Sequence, residues 1–295
     1  MGGIAKLIDK SELIERIEKR TGKIVDIRPI AAYNGWRLKG EKRGGHIPGA
    51  KTFPLRWLEL YEWQKMLSDK KIKPDEPVAV YGYQDKDTNI FVENLAKEGF
   101  KDISVYNGFV PEWSADESLP LQKLEKYRQL VYPEWVKILI DGGRPPEFDG
   151  KDYKIFHAHY GFEEDYNAGH IPGAIALDTL WLEEPETWNR RSPEELEAAF
   201  LKLGITADTS VILYGHFSYP NNADPFPGRN AGHIAAIRSA AIMMYAGVKD
   251  VRILNGGFSM WQDAGYEISE VKTTPSHVTE FGAKIPVHPE HFIDT

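Results

Sequence analysis

Short apolar runs alternate along this chain with segments of helical period. Val78–Tyr81 and Val211–Tyr214 are unbroken apolar runs of strand length, and Ile24–Ile27, Ile103–Tyr106, Tyr153–His157 and Val251–Leu254 read as further strands. Between them lie helices. Ser11–Arg20 is one, and Asn89–Glu98, closed by Gly99, is another. Ser192-Pro193-Glu194-Glu195 is a capping box with proline at the first helical position, and Gly204 ends the helix it opens. Ala231–Tyr245 is long, largely apolar and stopped near Gly247, and Phe258–Asp263 is short. Tyr219–Asn230 (YPNNADPFPGRN) is a loop, because proline, asparagine and glycine dominate it. Strand and helix in turn predict an α/β fold, with a parallel sheet covered by helices on both faces.

The pattern runs twice. GHIPGA occurs at Gly45–Ala50 and at Gly169–Ala174, and Trp57 and Trp181 each follow the closing alanine by seven residues. VAVYG at Val78–Gly82 lies opposite VILYG at Val211–Gly215, and Asn107 and Asn255 each precede a tryptophan, Trp113 and Trp261, by six residues. Features recurring in one order mark a tandem repeat. The predicted domains are 1–125 and 126–286, with the boundary in the polar stretch Glu117–Tyr132. Val287-His288-Pro289-Glu290 echoes Val131-Tyr132-Pro133-Glu134, the opening of the second copy, so 287–295 reads as the entrance to a third unit.

These residues resemble the rhodanese family of sulfurtransferases. The resemblance rests on Val25-Asp26-Ile27-Arg28 after the first strand, the GHIPGA turn, the strands running into Gly82 and Gly215, and Asn255–Phe258 followed by Trp261. It covers nearly the whole chain, and the third start is similar to the three-domain thiosulfate sulfurtransferases of bacteria. The resemblance implies two tandem rhodanese-like domains and a chemistry in which a cysteine thiolate takes a sulfane sulfur as a persulfide. The loop N–H groups and helix N-terminus that follow the strand stabilise such an anion. The positions corresponding to that cysteine are Gly82 and Gly215. Glycine offers no atom to carry sulfur, so no catalytic residue is expected in either copy. Phosphatases that share the architecture need the same cysteine, and that activity falls with it.

Composition sharpens this picture. The 295 residues are 42% hydrophobic and 27% charged, with a net charge of −8 and no cysteine at all. Disulfides, thiolate metal sites and thiol nucleophiles are therefore excluded together. The acidic balance, without a basic patch, argues against nucleic acid and anionic membrane as partners. No apolar run approaches a membrane span. The N-terminus has no apolar signal core, and the bacterial cytoplasm and the periplasm both remain open as compartments, because a signal that had been removed would leave no trace.

The first loop, Gly82–Asn89, carries Asp85 and Asp87 against Lys86 and is a poor anion cradle. The second carries His216, Asp224 and Arg229 and ends at Gly232. His216, Arg229 and the helix N–H groups from Gly232 form a candidate anion or substrate loop, with packing of the loop as the bland reading. His46 and His170 read as residues that fix the turn through backbone hydrogen bonds. Asp26 and Arg28 read as a structural pair, which His157 and His159 replace in the second copy. His157 and His159 share one strand face, but with no third ligand identified beyond His170 no metal and no cofactor is expected. Trp57, Trp113, Trp181 and Trp261 read as core or interdomain packing. Two functions remain. One is the non-catalytic portion of a thiosulfate sulfurtransferase, whose partner is a C-terminal cysteine-bearing rhodanese domain through which thiosulfate or another sulfur donor is engaged. The other is a stand-alone binding or regulatory module that makes contact through Tyr219–Asn230. An unrelated nucleotide enzyme is disfavoured, because neither a Gly-x-Gly-x-x-Gly loop nor a P-loop follows any predicted strand.

Overall fold

The structure, a computed structural model, describes residues 4–60, 62–161, 163–216 and 232–292. The chain divides into two compact units, Met1–Tyr127 and Arg128–Thr295. Each is built on a five-stranded, all-parallel sheet. In the first unit the order is β1 (Lys6–Leu7), β5 (Ile103–Val105), β4 (Val78–Tyr81), β2 (Lys23–Asp26), β3 (Lys51–Thr52). In the second it is β6 (Leu130–Val131), β10 (Asp250–Leu254), β9 (Ser210–Tyr214), β7 (Tyr153–His159), β8 (Ile175–Asp178).

The central strands are apolar because both of their faces are covered. Along β4, Val78 and Val80 pack with Phe53, Phe91 and Leu95, while Ala79 and Tyr81 pack on the opposite face with Leu13, Ile47 and Phe109. The helices run in order α1 (Lys10–Lys19), α2 (Ile30–Asn34), α3 (Trp63–Asp69) and α4 (Asp85–Lys97), then α5 (Pro133–Ile140) and α6 (Glu164–Asn167) in the second unit; α4 supplies Phe91 and Leu95 to one face of the first sheet, and α1 supplies Leu13 to the other. In the second unit, Val211 and Leu213 of β9 and Phe156 and Ala158 of β7 meet α7 (Pro193–Leu203) and α8 (Gly232–Ala246) in one cluster. The other face of β7 carries His157 and His159. The fold is therefore the expected pair of α/β domains.

Local signals act as the sequence suggests. Ser192 accepts from the Glu195 N–H in a complete capping box, and Gly204 closes α7 at φ 71°. Elsewhere the bounds differ. Helix α4 begins at Asp85 rather than Asn89, because Asp85 and Asp87 fall in its first turn, where carboxylates complement the helix dipole. The first loop thus shortens to Gly82–Gln84. Strand β7 runs on to His159, drawn out by parallel pairing with both β8 and β9. The tail from Val287 lies along α8. The Val287 and His288 N–H groups donate to the Tyr245 carbonyl at 3.2 and 3.0 Å, and Phe292 meets the Tyr245 ring edge-on. Trp113 and Trp261 are buried and Trp57 is half-buried against Phe53. Trp181 departs from its expected core position: it is 43% exposed, carried outward on the short turn Thr179–Trp181.

Candidate functional site

In open parallel sheets the carboxyl ends of the strands are where ligands bind, and both glycine positions lie there. Gly82 follows β4. A Cβ on it would stand 2.8 and 3.0 Å from the Ile27 side chain and 3.4 Å from Thr88. These are side-chain and not backbone atoms, so room for a Cβ requires the buried Ile27 to repack.

Beneath this loop lies the buried pair Asp26–Arg28. The Arg28 guanidinium donates to both Asp26 oxygens, Nε at 2.9 Å and Nη2 at 2.7 Å, and also to the Gly45 carbonyl at 2.7 Å and Glu41 at 3.3 Å. It stacks 3.8 Å from the Phe109 ring centre. The Tyr81 hydroxyl donates to Asp26 at 2.8 Å and accepts the Ile47 N–H at 3.1 Å. Burial works against the charge on Arg28, but Asp26 outweighs it and holds the proton more firmly than usual. The pair therefore joins strand β2 to the first residues of the GHIPGA turn.

The two turn histidines are held alike. His46 Nδ1 lies 2.8 Å from the Tyr33 carbonyl, with the rings stacked at 3.6 Å. His170 Nδ1 lies 2.8 Å from the Tyr166 carbonyl, with the rings stacked at 3.8 Å, and its Nε2 lies 3.0 Å from the Val271 carbonyl. Each tyrosine hydroxyl then donates to the alanine that closes the turn, Tyr33 to Ala50 at 2.8 Å and Tyr166 to Ala174 at 2.9 Å. Tyr33 stands 13 residues before its histidine and Tyr166 only four before its own, so aligning the copies does not reveal them.

The second unit differs at its centre. A Cβ on Gly215 would lie 2.1 Å from the Gly232 carbonyl oxygen, 2.3 Å from its carbon and 3.0 Å from the Ala158 oxygen. A Cβ on Gly257 would lie 2.4 Å from the Gly215 oxygen, which already accepts the Phe258 N–H at 3.0 Å. The Gly215 position is thus packed with backbone, and a side chain of any kind is excluded there.

In register, His157 pairs with Tyr214 as Asp26 pairs with Tyr81. The Tyr214 hydroxyl still accepts the N–H of the turn isoleucine, Ile171, at 2.9 Å. His157 is buried, and neither of its ring nitrogens has a hydrogen-bond partner among the described residues. Its ring lies 4.9 Å from Tyr214, 5.3 Å from His216, 5.8 Å from Tyr166 and 6.1 Å from Phe258. Burial, reinforced by His216, His159 and His170, pushes its pKa well below the ordinary value. His159 is also lowered by burial, against the pull of Asp178 and the acids of Glu163–Asp165. The structure does not gather His157, His159 and His170 into a ligand set. Among the described residues, the group of three that converges within 4.8 Å is His288, Glu290 and His291, all exposed. His216 sits 5.0 Å from Phe258, and Gly232 opens α8 with its Cβ position 2.8 Å from the His216 nitrogen. Arg229, Asp224 and the Tyr219–Asn230 loop lie outside the described residues.

A feature that the sequence did not single out lies beside the first turns of α8. A pocket of about 260 Å³ is walled by Tyr160, Trp188, Ile234 and Arg238. Trp188 adopts φ 57°, a left-handed conformation rare for a bulky residue.

A rhodanese-like domain profile matches residues 9–116 and 133–264. The chain belongs to the rhodanese-like family, whose members include sulfurtransferases. It is 37% identical over 287 residues to the thiosulfate sulfurtransferase YnjE of Escherichia coli (strain K12), covering 95% of this chain and 61% of that protein. The structure superposes on wild-type EanB with a TM-score of 0.94 at 46% identity, covering 98% of this chain and 68% of that one. It superposes on the anaerobic ergothioneine biosynthesis enzyme of Chlorobium limicola, bound to its natural substrate trimethyl histidine, with a TM-score of 0.93 at 48% identity, covering 97% and 67%. One EanB variant structure holds ergothioneine covalently linked to a cysteine persulfide. The chain thus spans 61% of the E. coli relative and about two thirds of these structural neighbours.

Proposed function

We propose that these residues form the non-catalytic tandem portion of a sulfane-sulfur transferase and support a cysteine-bearing domain outside them. Thiosulfate or another donor is engaged through that domain. The observation that carries this reading is the state of the two nucleophile positions. Gly82 and Gly215 have no sulfur-carrying atom, and the backbone of Gly232 and Gly257 seals the second position. A pocket that had merely lost its thiol would keep space for one. The purified 295-residue chain is expected to form no thiocyanate from thiosulfate and cyanide. Protein-dependent thiocyanate formation overturns the proposal.

The higher identity to EanB than to YnjE favours a small imidazole of the hercynine kind as the sulfur acceptor of the whole protein. Mass spectrometry of hercynine incubated with a sulfur donor and the protein including such a cysteine domain checks this. An unchanged hercynine mass counts against it.

The alternative, a stand-alone binding module, is favoured by the exposed apolar side chains Trp181, Trp188, Ile234 and Ile237 of the second unit. Full sulfur transfer by the isolated cysteine domain, unchanged when this chain is added, would select it.

A further inference from the structure

The pocket of the second unit lies at the carboxyl ends of two neighbouring parallel strands. Tyr160 follows β7 directly, Thr179 follows β8, and Ile234 and Arg238 come from the first two turns of α8. This is where open α/β sheets receive ligands.

Its walls are built rather than incidental. Tyr160 and Trp188 bring their rings to 4.9 Å at 57°, forming an aromatic corner. Trp188 is kept in its left-handed conformation from both sides. Its N–H donates to the Glu184 carbonyl at 2.9 Å, and its own carbonyl accepts from Arg238 Nη2. Left-handed backbone at a bulky residue persists only where its surroundings enforce it, and such residues gather at ligand clamps. The indole is 42% exposed and Ile234 49%, so both present surface to a guest.

The polar groups fix what that guest is. The Glu183 carboxylate is fully buried and receives the Thr179 hydroxyl and the Arg238 guanidinium. Arg238 is thereby neutralised, and the surface the pocket leaves accessible is almost wholly apolar. An anion gains little from a guanidinium whose charge is already spent. An organic cation finds no free counter-charge either, because the Glu183 carboxylate is buried against Arg238, and it would give up its hydration at an apolar wall. What remains complementary is a flat, uncharged apolar ring.

We propose that this pocket binds a neutral, planar aromatic or heteroaromatic ring, stacked in the Tyr160–Trp188 corner over Ile234. The proposal stands apart from the sulfur-transfer reading and needs no cysteine domain.

Three probes of one size test it on the full chain: benzamide (neutral), benzoate (anionic) and benzyltrimethylammonium (cationic). Binding is read by ligand-observed NMR and by quenching of tryptophan fluorescence. Benzamide is expected to bind at millimolar concentration and each charged probe more weakly. Trp188→Ala and Ile234→Glu, both at exposed positions, should each weaken benzamide about tenfold, the loss expected on removing an aromatic contact or placing a charge on the ring site. Circular dichroism of both variants should match the parent chain. No benzamide binding, binding that survives either substitution, or a preference for a charged probe overturns the proposal.

Discussion

Around Gly215 the carbonyls of Gly232 and Ala158 approach to within 3.0 Å of where a Cβ would stand. Gly215→Cys would place Cβ 2.1 Å from a backbone oxygen that no rotamer change can move. It is expected to destabilise the second unit by about 3 kcal/mol or more, the upper range for overpacking. Gly82→Cys meets only Ile27 and Thr88 side chains and should cost about 1 kcal/mol. Urea unfolding of the two variants checks the difference, and equal costs would contradict it. His157 makes a second residue-scale prediction. Its ordinary pKa is 6.5 in the unfolded chain, and the fold lowers it. The folded state therefore resists a proton that the unfolded chain accepts. Stability is full above pH 6.5 and falls as pH drops below it, by at most about 1.4 kcal/mol per pH unit for this group. His159 and His46 are lowered as well and add to the same slope. His157→Phe, which keeps the ring among Tyr214, Tyr166 and Phe258, should flatten the loss seen by thermal melting between pH 6 and 5, a window just below the histidine range. A slope as steep as the parent's would show that His157 does not carry it.

At the scale of elements, one turn sequence is held by two different frameworks. In the first unit the Asp26–Arg28 pair crosses from β2 to the turn and to Glu41. Arg28→Met leaves two carboxylates buried without their cation, and a loss of about 3–5 kcal/mol is expected in chemical denaturation. A loss under about 1 kcal/mol, as for an exposed pair, would show that the pair is not needed. In the second unit Tyr166 carries more of that duty, since its hydroxyl donates to Ala174 and accepts the Thr273 N–H at 2.9 Å. The repeat, the strands and the capping box were legible because they rest on local periodicity and local hydrogen bonds. The start of α4 is hard to see in the sequence because the charges of Gly82–Asn89 resemble those of a loop, although carboxylates in a first helical turn are themselves a helix signal. Tyr33 and Tyr166 were missed because they converge on their turns from unequal sequence distances. Trp181 misled because its constant offset from GHIPGA fixes a place along the chain and says nothing about burial.

At the scale of the whole molecule, the question is whether any restored thiol would work. Gly82→Cys should fold and still form no thiocyanate. Its loop leads straight into the first turn of α4, where Asp85 and Asp87 set negative charge near the site of a persulfide anion. Alkylation against pH should find a thiol no more acidic than free cysteine, and a thiol titrating below about pH 7 would contradict this account. The sequence by itself determined the duplication, the α/β class, the absence of any cysteine in these residues and the glycines that follow the paired strands at 82 and 215. These are properties of composition and of patterns repeated along the chain, so no folded contact is needed to read them. Only the tertiary structure decided that Gly215 is closed by Gly232 and Gly257, that His157 is buried with neither ring nitrogen hydrogen-bonded among the described residues, and that Tyr160, Trp188 and Arg238 line a pocket. Each of these depends on groups far apart in sequence meeting within a few ångströms, and periodicity carries no information about such distances.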